Sequence, residues 1–155
     1  MKYTAGQTGR VFVARLEDGD HIYESVEGIA QRERIHSGLV WIVGGITSAT
    51  VVVGPEHKHE MPPKPMIERF NDVREILGIG TLFEDSQGIP KLHLHAAMGR
   101  GKLSLVGCPR QGADCWLVDE VVILEITNLA VTRIKDAASG FDLLTVSDAP
   151  AAGAG

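Results

Sequence analysis

A chain of 155 residues suits a single domain with a substantial core, and its 44% apolar and 23% charged content are those of a globular protein. The formal net charge of −5, with no block of Lys or Arg, disfavours nucleic acid as a partner, because counterion release at phosphates calls for a basic face. No run of about 18 apolar residues occurs and the opening MKYTAGQTGR has no apolar signal core, so the expectation is a cytoplasmic chain without membrane association.

Taken in order, Arg10 to Leu16 alternates as a first strand. Asp18-Gly19-Asp20 turns the chain and sets Asp20 as the N-cap of a helix. Within His21 to Arg34, Ile22, Val26, Ile29 and Ala30 share one helical face; Glu24 near the start and Arg32 and Arg34 near the end suit the dipole. From His36 the pattern turns to β. Leu39 to Val43 and Thr47 to Val53 are rich in β-branched residues and are separated by Gly44-Gly45. Gly54 to Pro65 is a polar, Pro-rich loop. Ile67 to Phe70, Glu75 to Phe83, Lys91 to Met98, Lys102 to Cys108, Cys115 to Ile126, Leu129 to Lys135 and Phe141 to Val146 read as strands. The expected fold is α+β, one main helix on a mostly antiparallel sheet, as one domain over 1–146 with a flexible tail over 147–155.

Chemistry gathers in the run KLHLHAAM. Residues two apart on a strand face the same way, so His93 and His95 project together while Leu92, Leu94 and Ala96 face the other side. Neutral imidazoles side by side need partners for their nitrogens, and a divalent metal is one. Gly99-Arg100-Gly101 marks a tight hairpin to the next strand. With Arg100-Gly101 as its two central residues, antiparallel register sets Cys108 opposite His93 on the same face. Three protein ligands with an open fourth position make the arrangement of a catalytic zinc site. Hydrogen-bonded histidines and a cysteine buried as a small hydrophobe are the ordinary alternative for the same residues.

Other candidates are less constrained. His57 and His59 lie in the polar loop, where spacing fixes no shared face. His36 suits a helix-terminal role, or approaches the site from a neighbouring strand. Glu75 and Glu120 interrupt apolar strands and are either edge residues or functional carboxylates; Asp119 adjoins the second. Two cysteines, Cys108 and Cys115, are too few for a disulfide framework. There is no third glycine after Gly78-Ile79-Gly80, no P-loop, no GxSxG and no HExxH.

These residues together resemble the PPC (plant and prokaryote conserved) domain in its free-standing prokaryotic form. The carriers are GRVFVARLEDGD, GIAQRERIHSGLVWIVGGITSATVVVG, REILGIGTLF, HLHAAMGRG and WLVDEVVILEI, spanning roughly residues 9 to 126. The resemblance implies one helix on an antiparallel sheet and a homotrimer. Many prokaryotic relatives carry HxH and a third histidine in a GGH segment; that position is Cys108 here, which keeps a zinc-competent ligand of softer character. Plant members add an AT-hook and act in chromatin, but no Arg-Gly-Arg-Pro core occurs in this chain. The expectation is a homotrimer binding zinc through His93, His95 and Cys108, acting as a lyase or hydrolase on a small oxygenated metabolite with Glu120 or Glu75 moving protons. The rival is a non-enzymatic DNA-binding or regulatory protein of the same family.

Overall fold

The computed structural model describes residues 1–147; apart from Ser147, the tail expected over 147–155 lies outside the described residues. β1 (Gln7–Glu17) leads into α1 (Ile22–Glu33), followed by β2 (Ser37–Ile46), β3 (Ala49–Pro55), β4 (Pro65–Phe70), β5 (Arg74–Glu84), β6 (Pro90–Arg100), β7 (Leu103–Gly112) and β8 (Cys115–Thr127). β9 (Val131–Lys135) and β10 (Asp142–Val146) close the chain as a separate two-stranded hairpin. The main sheet runs β1-β8-β2-β5-β6-β7-β3-β4 with every pairing antiparallel. The α+β expectation therefore holds in its coarser form: a mostly antiparallel sheet with one short helix.

The helix forms because its apolar residues recur at helical spacing and are fully buried at Ile22, Val26 and Ala30. Glu24 and Arg32 occupy the ends that the helix dipole favours. Its cap differs from expectation. His21, not Asp20, is the N-cap, and no side chain bonds to the helix amides. The Asp20 carboxylate turns back to accept the Glu17 N–H at 2.9 Å, closing the β1–α1 turn instead. At the other end Arg34 adopts a left-handed conformation, φ 57°, and the Ile35 N–H returns to the Ala30 carbonyl at 2.8 Å. Ile35 is thereby turned into the core, 1% exposed.

The sheet's inner face, covered by α1, is aliphatic: Val40, Ile42, Leu82, Leu92, Leu94, Met98, Val121 and Ile123 are buried in one cluster with the helix. Gly44-Gly45 is not a break between strands, since β2 runs on to Ile46. The pair forms a bulge against β8, and a Cβ on Gly44 (φ 153°) would lie 2.2 Å from Asp119 Oδ1.

That close approach leaves Asp119 fully buried, and among the described residues neither carboxylate oxygen has a well-formed hydrogen bond, although the Cys115 thiol and the Gly45 N–H lie nearby. Burial pushes its carboxyl up to about 6 from an ordinary 3.8. The folded chain therefore holds this proton at pH values where the unfolded chain has released it. The stability it contributes is complete at acid pH and is lost as pH rises through about 6, a change of about 3 kcal/mol for a shift of this size. Asp119→Asn, uncharged throughout, is expected to gain roughly that much stability relative to wild type between pH 4 and pH 7. Urea denaturation of both proteins at the two pH values checks this; an unchanged difference contradicts it.

Candidate metal centre

β6 alternates with period two. Leu92, Leu94, Ala96 and Met98 are buried, whereas His93 and His95 face outward and are exposed. The neighbouring strand is set by its turn. Arg100 pairs with Leu103, so Gly101-Lys102, not Arg100-Gly101, are the central residues of the hairpin. Gly101 has φ 60°, the conformation that a two-residue hairpin demands at its first central position and that glycine meets without strain. Moving the turn by one residue moves each pairing by two. The β6–β7 ladder ends at Ala96 opposite Gly107, and continuing its register brings Cys108 beside His95 rather than His93. A two-residue shift preserves the face, which is why the three side chains still meet.

Beyond Gly107 the strand hands over to β3, where Cys108 pairs with Val52. One ligand atom from each of His93, His95 and Cys108 lies within 4.8 Å of the others. The two Nε2 atoms are 3.2 Å apart and the rings are edge-on at 80°. Bonds of about 2.0–2.1 Å at tetrahedral angles would set two nitrogens about 3.3 Å apart, so the imidazole pair is spaced for a zinc-sized ion and the thiol completes a zinc-type donor set close by. The thiol is buried, with Cys108 3% exposed, while the imidazoles are open outward, leaving the approach for a further ligand on their side.

Charge around the trio is positive. Burial lowers the basicity of His93 below the histidine norm, and the nearby His95, Arg133 and Arg110 add to the effect. Tyr23 on α1 donates its hydroxyl proton to the Pro109 carbonyl, and burial raises its pKa well above the phenol range, with Cys108 close by adding to the effect. The Tyr23 hydroxyl thus keeps its proton. Tyr23, Arg110 and Arg133 carried no motif; they reach the site through helix docking, the run of β7 alongside β3 and the β9–β10 hairpin.

The other expected residues lie elsewhere. Glu120 faces Arg15 and Val43 on β8, three strands from β6 or about 14 Å away. Glu75 pairs with Gly99, four residues along β5 from the partner of His95, or about 13 Å. Both are exposed. His36 Nδ1 lies 2.6 Å from Glu84 Oε1 at the far end of β5. His57 and His59 are exposed in the β3–β4 loop. Cys115 is buried beside Leu16, its thiol pushed up to about 12 by burial and by the Asp119 carboxylate.

An antiparallel α+β domain with a His₂Cys cluster on its outer sheet face is thus the class of protein defined by fold and site. The chain belongs to the Plants and Prokaryotes Conserved (PCC) domain family, whose profile matches residues 3–127. A metal-containing protein from Archaeoglobus fulgidus has the same fold, with 21% identity, a TM-score of 0.80, and coverage of 94% of this chain and 99% of that one. A PPC protein from Pyrococcus horikoshii matches at 18% identity and TM-score 0.80, covering 96% and 100%. A candidate DNA-binding protein from Bacteroides thetaiotaomicron matches at 18% and 0.74, covering 91% and 97%. Comparison with curated proteins gives no match.

The position of Cys108 depends on Gly107. A Cβ there would meet the Val52 carbonyl oxygen at 2.5 Å and Val51 Cγ1 at 2.8 Å. Gly107→Ala is expected to push β7 off β3, costing about 1–3 kcal/mol and exposing the Cys108 thiol. Denaturant melts and thiol-labelling rates in a Cys115→Ser background check this. Unchanged labelling contradicts it.

Proposed function

We propose that this chain is a zinc-binding homotrimer that acts on a small oxygenated metabolite as a lyase or hydrolase. The convergence of His93, His95 and Cys108 within 4.8 Å carries the reading. Two imidazoles and one thiolate are zinc donors by chemistry, and a fourth, outward position suits a catalytic site more than a closed structural one. When bound, the metal would polarise a carbonyl oxygen or lower the pKa of a water. The protein's own contribution is positional: β6 sets both imidazoles, β7 the thiol, and Tyr23 a hydroxyl that retains its proton. Glu75 and Glu120 are too far along the sheet to move protons at this site within one chain. The likeness to a metal-containing relative supports the reading; the −5 charge weighs against DNA binding as the activity.

The trimer reading rests on family membership and on the sheet's outer face. Val11, Val13, Trp41, Val43, Leu77 and Ile79 are exposed there on β1, β2 and β5, an apolar surface of the kind that subunit contact covers. In the register of the sheet, Val13, Val122, Trp41, Ile79 and His95 form one row, so subunit contact would reach the metal site.

Two outcomes are expected. The protein should copurify with close to one zinc per chain, and Cys108→Ser should weaken retention by more than about 10–100-fold, the cost of losing even an outer partner of a ligand. Cys115→Ser should leave zinc unchanged and Cys108→His should restore it. Equal zinc in wild type and Cys108→Ser, by elemental analysis, overturns the ligand set. Sedimentation equilibrium should give about three times the 16.7 kDa chain mass. A stable micromolar monomer removes the trimer, and Ile79→Glu should produce one.

A further inference from the structure

We propose that Arg133 recognises a carboxylate, so that the ligand of the site is a small organic acid whose second oxygen donor reaches the position between His93, His95 and Cys108. The proposal rests on the metal reading above and names the class of ligand for it.

Arg133 is on β9, in the hairpin that follows the residues matched by the family profile. It is 8% exposed, and a guanidinium stays charged under all ordinary conditions. Its Nη2 donates to Thr81 Oγ1 at 3.0 Å and its Cζ lies 5.6 Å from the Phe83 ring centroid. Its Nε is buried without a partner, and among the described residues no carboxylate forms a salt bridge with it. A buried cation with no paired carboxylate, acted on only at longer range by Asp142 on β10, costs free energy that the fold offsets only in part.

Its place explains what would offset it. Thr81 pairs with His93 across β5 and β6, so Arg133 bonds a residue one strand spacing, about 4.8 Å, from the one that carries the first imidazole, and it is near enough to lower the basicity of His93. Arg110 flanks the trio from β7, two residues beyond Cys108, and shares a cleft with Tyr23. A divalent ion on one thiolate and two neutral imidazoles leaves a net positive centre, and two guanidiniums add to it. An anion is the complement. The unpartnered Nε of a planar guanidinium matches a carboxylate oxygen, and a second oxygen on the adjacent carbon of the acid would extend from there toward the His pair. Inorganic phosphate shares the oxyanion chemistry and is the competing source.

Calorimetric titration with oxalate and, separately, inorganic phosphate tests this on zinc-loaded wild type, Arg133→Gln and Arg133→Lys. Oxalate binding is expected to weaken about 10- to 100-fold in Arg133→Gln at unchanged zinc content, and by less in Arg133→Lys, which keeps the charge without the fork. Equal oxalate affinity in wild type and Arg133→Gln overturns the proposal, and tighter binding of phosphate than of oxalate overturns the carboxylate assignment. If circular dichroism shows Arg133→Gln unfolded, Arg133→Lys decides: affinity equal to wild type overturns the proposal. Should wild type hold no zinc, the metal reading fails separately. Metal-free titration then decides: oxalate binding that depends on Arg133 supports the recognition role, and absent or Arg133-independent binding overturns it.

Discussion

The site depends on the two-residue alternation of β6 against α1. Leu92, Leu94, Ala96 and Met98 fill the space beneath the helix, and no other side of the strand can do so. A slip of one residue would bury His93 and His95 and expose the leucines, each fully buried leucine being worth roughly 1.5–3 kcal/mol. The core thus holds the imidazoles outward, although it never touches them. Glu27 reinforces the alignment by accepting the Leu92 N–H at 2.9 Å, tying helix to strand next to the histidines.

The same alternation makes the sheet two different surfaces. Its inner face is closed by α1. Its outer face is apolar over β1, β8, β2 and β5 but carries imidazoles on β6 and a thiol on β7. The β9–β10 hairpin covers only one end of that outer face, where Phe83 is buried at 7% exposure beneath Arg133. The candidate metal centre lies where covered and uncovered parts of the face meet. A ligand position there borders both a subunit-sized apolar surface and a charged hairpin.

Buried polar groups mark the places where this fold is not simply a hydrophobic sandwich. Glu125 receives three hydrogen bonds from Arg10, two from the side chain and one from its N–H, and that partner holds its carboxyl down at about 2. The pair is fully matched and ties β1 to β8. Asp119 and Arg133 are the opposite case, buried with atoms left unpartnered. Asp119 sits behind a glycine bulge remote from the metal centre, and its cost is one of stability. Arg133 sits beside the histidines, and its cost is one that a ligand can relieve.

Local patterns in the chain were enough to specify the helix, the approximate extent of the strands along the chain, and the shared face of His93 and His95. Each depends on periodicity, which neighbours along the sequence determine. Cys108 was legible as well, although the turn lay one residue from where the glycines suggested, because a hairpin shift of two preserves the face. The glycine bulge at Gly44-Gly45 and the pairing of His36 with Glu84 were not legible, since each is settled by a residue far away in sequence, and the cap at His21 was not because Asp20 closes the preceding turn instead. Tyr23, Arg110 and Arg133 belong to the same group. Glu75 and Glu120 looked alike as carboxylates within apolar strands; the register of β5 against β6 separates the first from the site and the sheet order the second. The sequence by itself determined where the chain alternates and that His93 and His95 share a face; strand order, helix docking and the folding back of the β9–β10 hairpin decided which face of the apolar strands is left uncovered and which residues meet there, because such contacts join positions that no local period relates.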